Sequence, residues 1–528
     1  MEMSRSNRLD VPKVAEVIAA GWLLALVLAG TLFAADWPQW RGPLRSGVAD
    51  AGTPCVSNWA TTGPRKLWEC DVPPSKDGGL ASPIIAGGRV YAFFTPQTVE
   101  ELATRQFTAA EIKSLGWIDL RLPDALAAKV EAARCGETLN KMDWEDRGAW
   151  MDAWIVANLT SEESNRYARA VRARFQVAKA GQALDVVYKL DSLTNRTFES
   201  QTALDNWLAA AGISNAAAKA VNAAAISSRK HAQDLLLCLD AASGKELWRR
   251  AWPGVSLAQG ACSTPCVSGG RLYAVGSTGM VYCLDAATGS NVWERLLGLT
   301  HASFMVVDGM AIIPATELTA LDAATGALLW RCREVKTMHN STVLWRAGSN
   351  AFALCNTGKD VVCVDLRTGT ARWRVPGGLY STPAVANDTL VVLTGDAVNG
   401  LSAYRLTPDK AERVWKADLR DRGATPAVRG GRVYAYAKGV AACFNLADGK
   451  ELWRTSTGGQ EISSPVLAGD VLIVPAAGGL AFLDAAPGGS GAILAKVKIK
   501  MSACATPAVA GGLLVVRGDK ALVAYELR

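Results

Sequence analysis

One eleven-residue segment returns along this chain at a nearly constant interval, and this repetition limits the fold more than any other feature. It reads Cys238-Leu-Asp-Ala-Ala-Ser-Gly-Lys-Glu-Leu-Trp248 and returns at Cys283–Trp293, Ala320–Trp330, Cys363–Trp373 and Cys443–Trp453. Weaker copies end at Trp68 and Trp415, and one near Ala481–Ala495 lacks the Trp. A second segment type precedes it: a Ser/Thr-Pro pair, an apolar run, a Gly-rich turn and another apolar run. Thr264-Pro265 opens a clear example, and the pair recurs at Ser82-Pro83, Thr382-Pro383, Thr425-Pro426, Ser464-Pro465 and Thr506-Pro507. Ser303-Phe304 and Thr342-Val343 hold the place without the Pro. From Pro265 the spacings are 39, 39, 40, 43, 39 and 42 residues.

That period suits a four-stranded blade of a β-propeller. Pro is tolerated where a strand starts, because its missing donor faces a loop. Asp240 starts a turn by bonding backbone N–H groups, and Gly244 ends it in the left-handed region. Trp68, Trp248, Trp293, Trp330, Trp373, Trp415 and Trp453 each supply a large flat contact that docks one blade on the next. A blade cannot bury its own faces, so blades stack around a ring. Counting gives eight strand-pair starts and eight outer strands. The last repeat has no outer strand of its own, so the N-terminal strand around Trp68 is expected to complete it and remove an open edge. The expected fold class is therefore all-β: an eight-bladed β-propeller with a mainly α-helical insertion in blade one.

The insertion spans about 140 residues, 97–233, between the propeller start at 36–96 and the remainder at 234–528. Thr108-Ala-Ala-Glu111 reads as a capping box. Ser161-Glu-Glu opens a helical run over Arg166–Lys179, and Ala216–Ile226 is rich in the best helix former. Propeller topology puts this insertion on the face that carries the blade-to-blade loops. Those loops contain Gln259, His301, His339, Asn340, Tyr380, Arg422 and Glu461. Their side chains are expected to ring the channel mouth beneath a helical lid.

Residues 1–35 carry Arg5, Arg8 and Lys13, then an apolar run from Val17 to Phe33, then Ala34-Ala35-Asp36. This is the order of a secretory signal, and the run also approaches the length of a membrane anchor. Either reading exports everything after Asp36 to a periplasmic or extracellular location, with membrane contact only through this segment if it is uncleaved. Twelve cysteines follow. Cys238, Cys283, Cys363 and Cys443 occupy one repeat position, two residues before an Asp or Asn, where Ala320 and Ala481 stand in other repeats. A residue fixed by the repeat is a packing choice, so these read as buried thiols. Cys262 and Cys266 flank one strand start, and spacing leaves their pairing open.

The chain has no haem-attachment Cys-x-x-Cys-His, no His-Glu-x-x-His and no Gly-x-Ser-x-Gly. A net charge of +7 over 528 residues, without a Lys/Arg run, gives no nucleic-acid footprint. His301 and His339 sit at equivalent places in successive loops, but no carboxylate or thiol is spaced to complete a metal shell. Arg422 and Glu461 are open to an ion-pair reading and to an anion-binding one.

The eleven-residue segments resemble the tryptophan-docking motif Ala-x-Asp-x-x-Thr-Gly-x-x-x-Trp of the quinoprotein dehydrogenases. The same repeat is used by the non-catalytic propeller subunit of the outer-membrane β-barrel assembly machine. Asp36-Trp-Pro-Gln-Trp-Arg-Gly-Pro43 is similar to the opening of many exported pyrroloquinoline-quinone-like propellers. The enzymes of this family imply pyrroloquinoline quinone with calcium, an Asp base and, in alcohol dehydrogenases, a vicinal disulfide. No adjacent Cys-Cys pair exists here, and Asn340, Asp421 and Glu461 are merely available near the mouth. The expectation is a non-catalytic scaffold that binds a protein or polysaccharide at the channel-mouth face, with no cofactor and no metal. The alternative is a quinone-dependent dehydrogenase with an atypical site.

Overall fold

A computed structural model of the protein describes residues 36–49, 55, 63–142, 144–257, 262–459, 463–502 and 504–528. The expected export segment, Gln259 and Glu461 lie outside the described residues. The chain divides into two compact units. One combines the chain up to Gln97 with Ala232–Arg528, and the other is Thr98–His231.

The larger unit is all-β. Its described strands form eight antiparallel sheets, seven of them four-stranded. Sheet 1 contains Ile84–Ala86, Arg89–Phe94, Ile226–Asp240 and Glu246–Gly254. Sheets 2 to 8 start at Cys266, Met305, Thr342, Ala384, Ala427, Val466 and Ala508. Sheet 8 draws its outer strand, Arg65–Asp71, from the start of the chain, where it pairs with Ala521–Glu526. The first and last parts of the unit are thus joined by a ladder of backbone hydrogen bonds, which covers the edge that Ala521–Glu526 would otherwise leave open.

The repeat explains how neighbouring sheets adhere. In each of six sheets the Trp pairs across strands with a small residue: Cys238 with Trp248, Cys283 with Trp293, Ala320 with Trp330, Cys363 with Trp373, Ala403 with Trp415, and Cys443 with Trp453. Ala524 faces Trp68 in the same way in sheet 8. In those six sheets the register slips immediately after this pair, so the residue before Trp is bulged outward. Each indole then lies on the turn of the next sheet. A Cβ at Gly244 would fall 2.6 Å from Trp68, and one at Gly326 would fall 2.7 Å from Trp293. For five of the seven the indole N–H donates to a backbone carbonyl of the neighbouring sheet, as from Trp68 to Ala241 at 2.9 Å and from Trp415 to Leu446 at 2.7 Å. The buried Trp248 and Trp453 N–H groups have no partner among the described residues. In the seventh sheet the register slips after Phe482 and Ala495, so Ala495 stands where the Trp is missing. Phe482, rather than the expected Ala481, holds the small-residue place, and the larger ring opposite compensates for the lost indole.

A second set of bonds runs around the inner strands. The backbone N–H of Ser82 donates to Oγ1 of Thr264, that of Thr264 to Ser303, Ser303 to Ser341, Ser341 to Thr382, Thr382 to Thr425 and Thr425 to Ser464, and that of Thr506 returns to Ser82. All seven bonds measure 2.9–3.2 Å. Seven of the eight strand-start hydroxyls are therefore links to the neighbouring sheet, and that of Thr506 is not. In sheet 4 the link is Ser341, one residue before the expected Thr342-Val343. Thr342 Oγ1 is instead occupied by the Cys355 thiol at 3.5 Å.

Thr98–His231 is mainly helical, and its expected caps are present with small shifts. Thr108 and Glu111 form the capping box of helix Ala109–Ser114. The next predicted helix is Ser161–Phe175, capped by Thr160 with Glu163 and ending before Lys179. Asn215–Ala224 is helical as the Ala content predicts. Strand Gln97–Gln106 was not expected, because its alternation is weak and it faces solvent along most of its length.

Candidate functional site

The hydroxyl belt surrounds a cavity of about 400 Å³ in the larger unit. Ser82, Thr264, Ser303, Ser341, Thr382, Ser464 and Thr506 all line it. Each of the first six already accepts a backbone N–H, and no described group accepts a hydrogen bond from any of them. The Thr506 hydroxyl is buried and has no hydrogen-bond partner among the described residues. The walls are therefore rich in O–H groups that can donate inward.

Segment Asp36–Ala49 crosses the unit and contributes Trp40 to the cavity wall. Its ends are held by sheets far apart in sequence: Trp37 bridges to Ile85, and Val48 bridges to Leu467. Between them Arg41 donates to the carbonyls of Thr425 at 3.0 Å and Pro426 at 2.6 Å. Arg45 donates to the carbonyls of Ser303 at 3.2 Å and Phe304. Both guanidiniums also contact the Trp40 ring, 5.7 and 5.6 Å from its centroid. Arg41 is 0% and Arg45 2% exposed, and neither has an ion-pair partner among the described residues. Burial, with a smaller push from Arg45, lowers Arg41 to about 9, and burial lowers Arg45 to about 10. Both remain cations at neutral pH. Arg517, buried and bonded to the Ala81 carbonyl at 3.1 Å, is lowered to about 10 by burial and is a third.

Four of the candidates chosen from sequence meet on this cavity: His301, His339, Tyr380 and Arg422. The imidazoles stack with centroids 5.0 Å apart and planes 15° apart, and Tyr380 meets His339 edge-on at 4.9 Å. Burial, then the neighbouring His339, pushes His301 down to about 4, and burial also lowers His339. The pair is neutral at pH 7, so each ring offers one donor and one acceptor. Asn340 is not on the wall. It is 2% exposed, and its amide donates to the Leu379 carbonyl at 3.1 Å. Asp421 spends its carboxylate on its own loop, accepting from Gly423 N at 2.7 Å and Ala424 N at 2.9 Å. Trp40, Cys262, Cys504 and the hydroxyl belt were missed in the sequence. The Ser/Thr of each strand-start pair was the available signal, but it reads there only as the start of a strand.

These walls do not suit calcium with a quinone. Calcium takes six to eight oxygens, several of them carboxylate. No described residue on the cavity wall is acidic, and no group of three or more His, Cys, Asp or Glu among the described residues could hold a metal ion.

The protein family described as outer membrane protein assembly factor BamB matches residues 206–313, 232–376, 314–435 and 399–490, together more than half of the chain. The curated outer membrane protein assembly factor BamB of Burkholderia pseudomallei (strain K96243) is 30% identical over 190 residues. That match covers 34% of this chain and 48% of the relative, so the chain spans about half the length of the curated relative it matches. Among solved structures, BamB from Moraxella catarrhalis is 18% identical, with a TM-score of 0.45 over 54% of this chain and 87% of that one. Quinohemoprotein alcohol dehydrogenase from Comamonas testosteroni is 14% identical, with a TM-score of 0.41 over 56% and 73%.

Proposed function

Because this chain belongs to the family of the outer membrane protein assembly factor BamB, we propose that it is an exported, non-catalytic, eight-bladed propeller that binds a protein partner in the cell envelope. On this reading the eight sheets are eight blades and Thr98–His231 is an insertion into the first. The partner-binding face is the channel mouth, where His301, His339, Tyr380 and Arg422 stand. The observation that carries the reading is the wall chemistry of the cavity. Its described part holds donors, two neutral imidazoles and a guanidinium, with no carboxylate base and no metal set. Leu379 and Tyr380 are 48% and 42% exposed on this loop, which offers apolar area beside the polar cavity.

Photo-crosslinking in the native envelope tests this. A crosslinker at Leu379 or Met338 is expected to trap an envelope protein, and one at Lys245 is not. Adducts only at Lys245, or retention on cell-surface glycan without a protein adduct, would overturn the reading. Titration with pyrroloquinoline quinone and Ca²⁺ is expected to show no binding. Tight binding with dye-linked alcohol or sugar oxidation would establish a dehydrogenase instead.

A further inference from the structure

We propose that the central cavity is a receptor for a carboxylate group, presented by an acidic side chain of the partner polypeptide. This inference rests on the scaffold reading above and names the chemistry of its central contact.

Three independent features of the walls converge on an anionic acceptor. The first is the belt. Seven Ser/Thr hydroxyls face one space of about 400 Å³, and six of them already have a backbone N–H on the oxygen. An oxygen that accepts one bond is polarised to donate its own proton. The seventh, Thr506, is 2% exposed with no bonding partner among the described residues. A buried hydroxyl left unmatched is costly, and a ligand acceptor would offset that cost.

The second feature is charge. Arg422 is on the wall, and its guanidinium has no ion-pair partner among the described residues. Arg41 and Arg45 contact the ring of Trp40, itself on the wall, and both are buried with only backbone carbonyls and the Gln39 amide oxygen as hydrogen-bond partners among the described residues. Charges enclosed by protein are screened far less than surface charges, so their field is felt across the cavity. Nothing on the described wall opposes it. The Cys262 and Cys504 thiols are pushed up by burial, the former to about 12, so neither is an anion at neutral pH.

The third feature is size and access. The volume is within the range of pockets that hold small ligands, and it accommodates an extended acidic side chain with water. Tyr380 and Leu379 beside it are exposed, so a polypeptide can rest there while its carboxylate enters.

Calorimetry on the full chain tests the proposal with an acetylated, amidated tri-glutamate peptide, its tri-glutamine counterpart, and citrate. The glutamate peptide is expected to bind and the glutamine peptide is not. Binding should weaken at least tenfold in Arg422→Gln and several-fold in Thr506→Val. Neither side chain is bonded to protein among the described residues, so neither variant should melt below the parent protein, which separates lost recognition from lost folding. Equal binding of the two peptides, or binding that ignores both substitutions, overturns the carboxylate receptor. Citrate binding without peptide binding keeps the carboxylate site but assigns it to a free acid, which overturns the partner side chain. Loss of peptide binding with the envelope crosslinks intact refutes this inference alone; loss of the crosslinks refutes the scaffold reading.

Discussion

The most economical residue in the repeat is the glycine that ends each outer turn, because two physical requirements fall on it together. Gly326 has φ +72°, where a Cβ is strained, and the same absent Cβ leaves room for the Trp293 ring. Gly309 has φ +73° with nothing within 4 Å of a Cβ. The pair separates the two requirements. Gly309→Ala is expected to cost about 1–2 kcal/mol from the left-handed backbone alone. Gly326→Ala should cost about 2–4 kcal/mol, since overpacking against the ring is added. Chemical denaturation measures both, and equal losses would mean that the ring does not press on the turn. At the same scale, His301 makes stability depend on pH. Its folded value of about 4 is below the model-peptide 6.5, so the unfolded chain binds the proton first as pH falls. Stability is complete above about 6.5 and is lost progressively down to about 4. His301→Asn is expected to lose less melting temperature than the parent protein over that interval; matching curves would show that the imidazole is not held neutral.

At the scale of the element, segment Asp36–Ala49 does what no strand of the ring can do. It bonds to sheets 1, 3, 6 and 7 at once, through Trp37, Arg45, Arg41 and Val48. The buried arginines are suited to this because a guanidinium carries five donors in a plane and can satisfy carbonyls from two sheets together. Removing one leaves those carbonyls unmatched. Arg41→Met should destabilise the larger unit by about 3 kcal/mol, even though it removes a desolvated charge. A neutral or stabilising result would show that the guanidinium is not the brace. The sequence pattern Trp-Pro-Gln-Trp-Arg-Gly-Pro marked this segment as a recurrent opening of such chains. It did not show where the segment lay, since neither its hydrophobicity nor its turns have a period.

At the scale of the whole molecule, the larger unit is interrupted in sequence but nearly continuous in space where residues 97–232 leave it. The Gln233 N–H donates to the Pro96 carbonyl at 3.1 Å, so the ends of sheet 1 are already as close as the ends of a hairpin. Replacing residues 97–232 by Asn-Gly, a two-residue turn suited to a hairpin, should leave the larger unit folded. Circular dichroism would show a pure β spectrum and melting within a few degrees of the parent protein; a chain that fails to fold would make Thr98–His231 part of the larger core. What the sequence determined by itself was everything the repeat carries. The strand pairs, the outer turns, the Trp positions and the closing strand at Trp68 follow from local chemistry copied at fixed spacing, and within the repeat the structure differs by Ser341 for Thr342 and by Phe482 for Ala481. What only the tertiary structure decided was the inside of the ring. The Thr506 repeat position marked a strand start but not an unpartnered hydroxyl, and nothing local marked Trp40 or Arg41 as wall and brace, because these roles come from residues brought together across hundreds of positions by closure. The Ser/Thr hydroxyls became a belt, and the cavity became a set of inward donors, only once the strand starts of different sheets were bonded to one another.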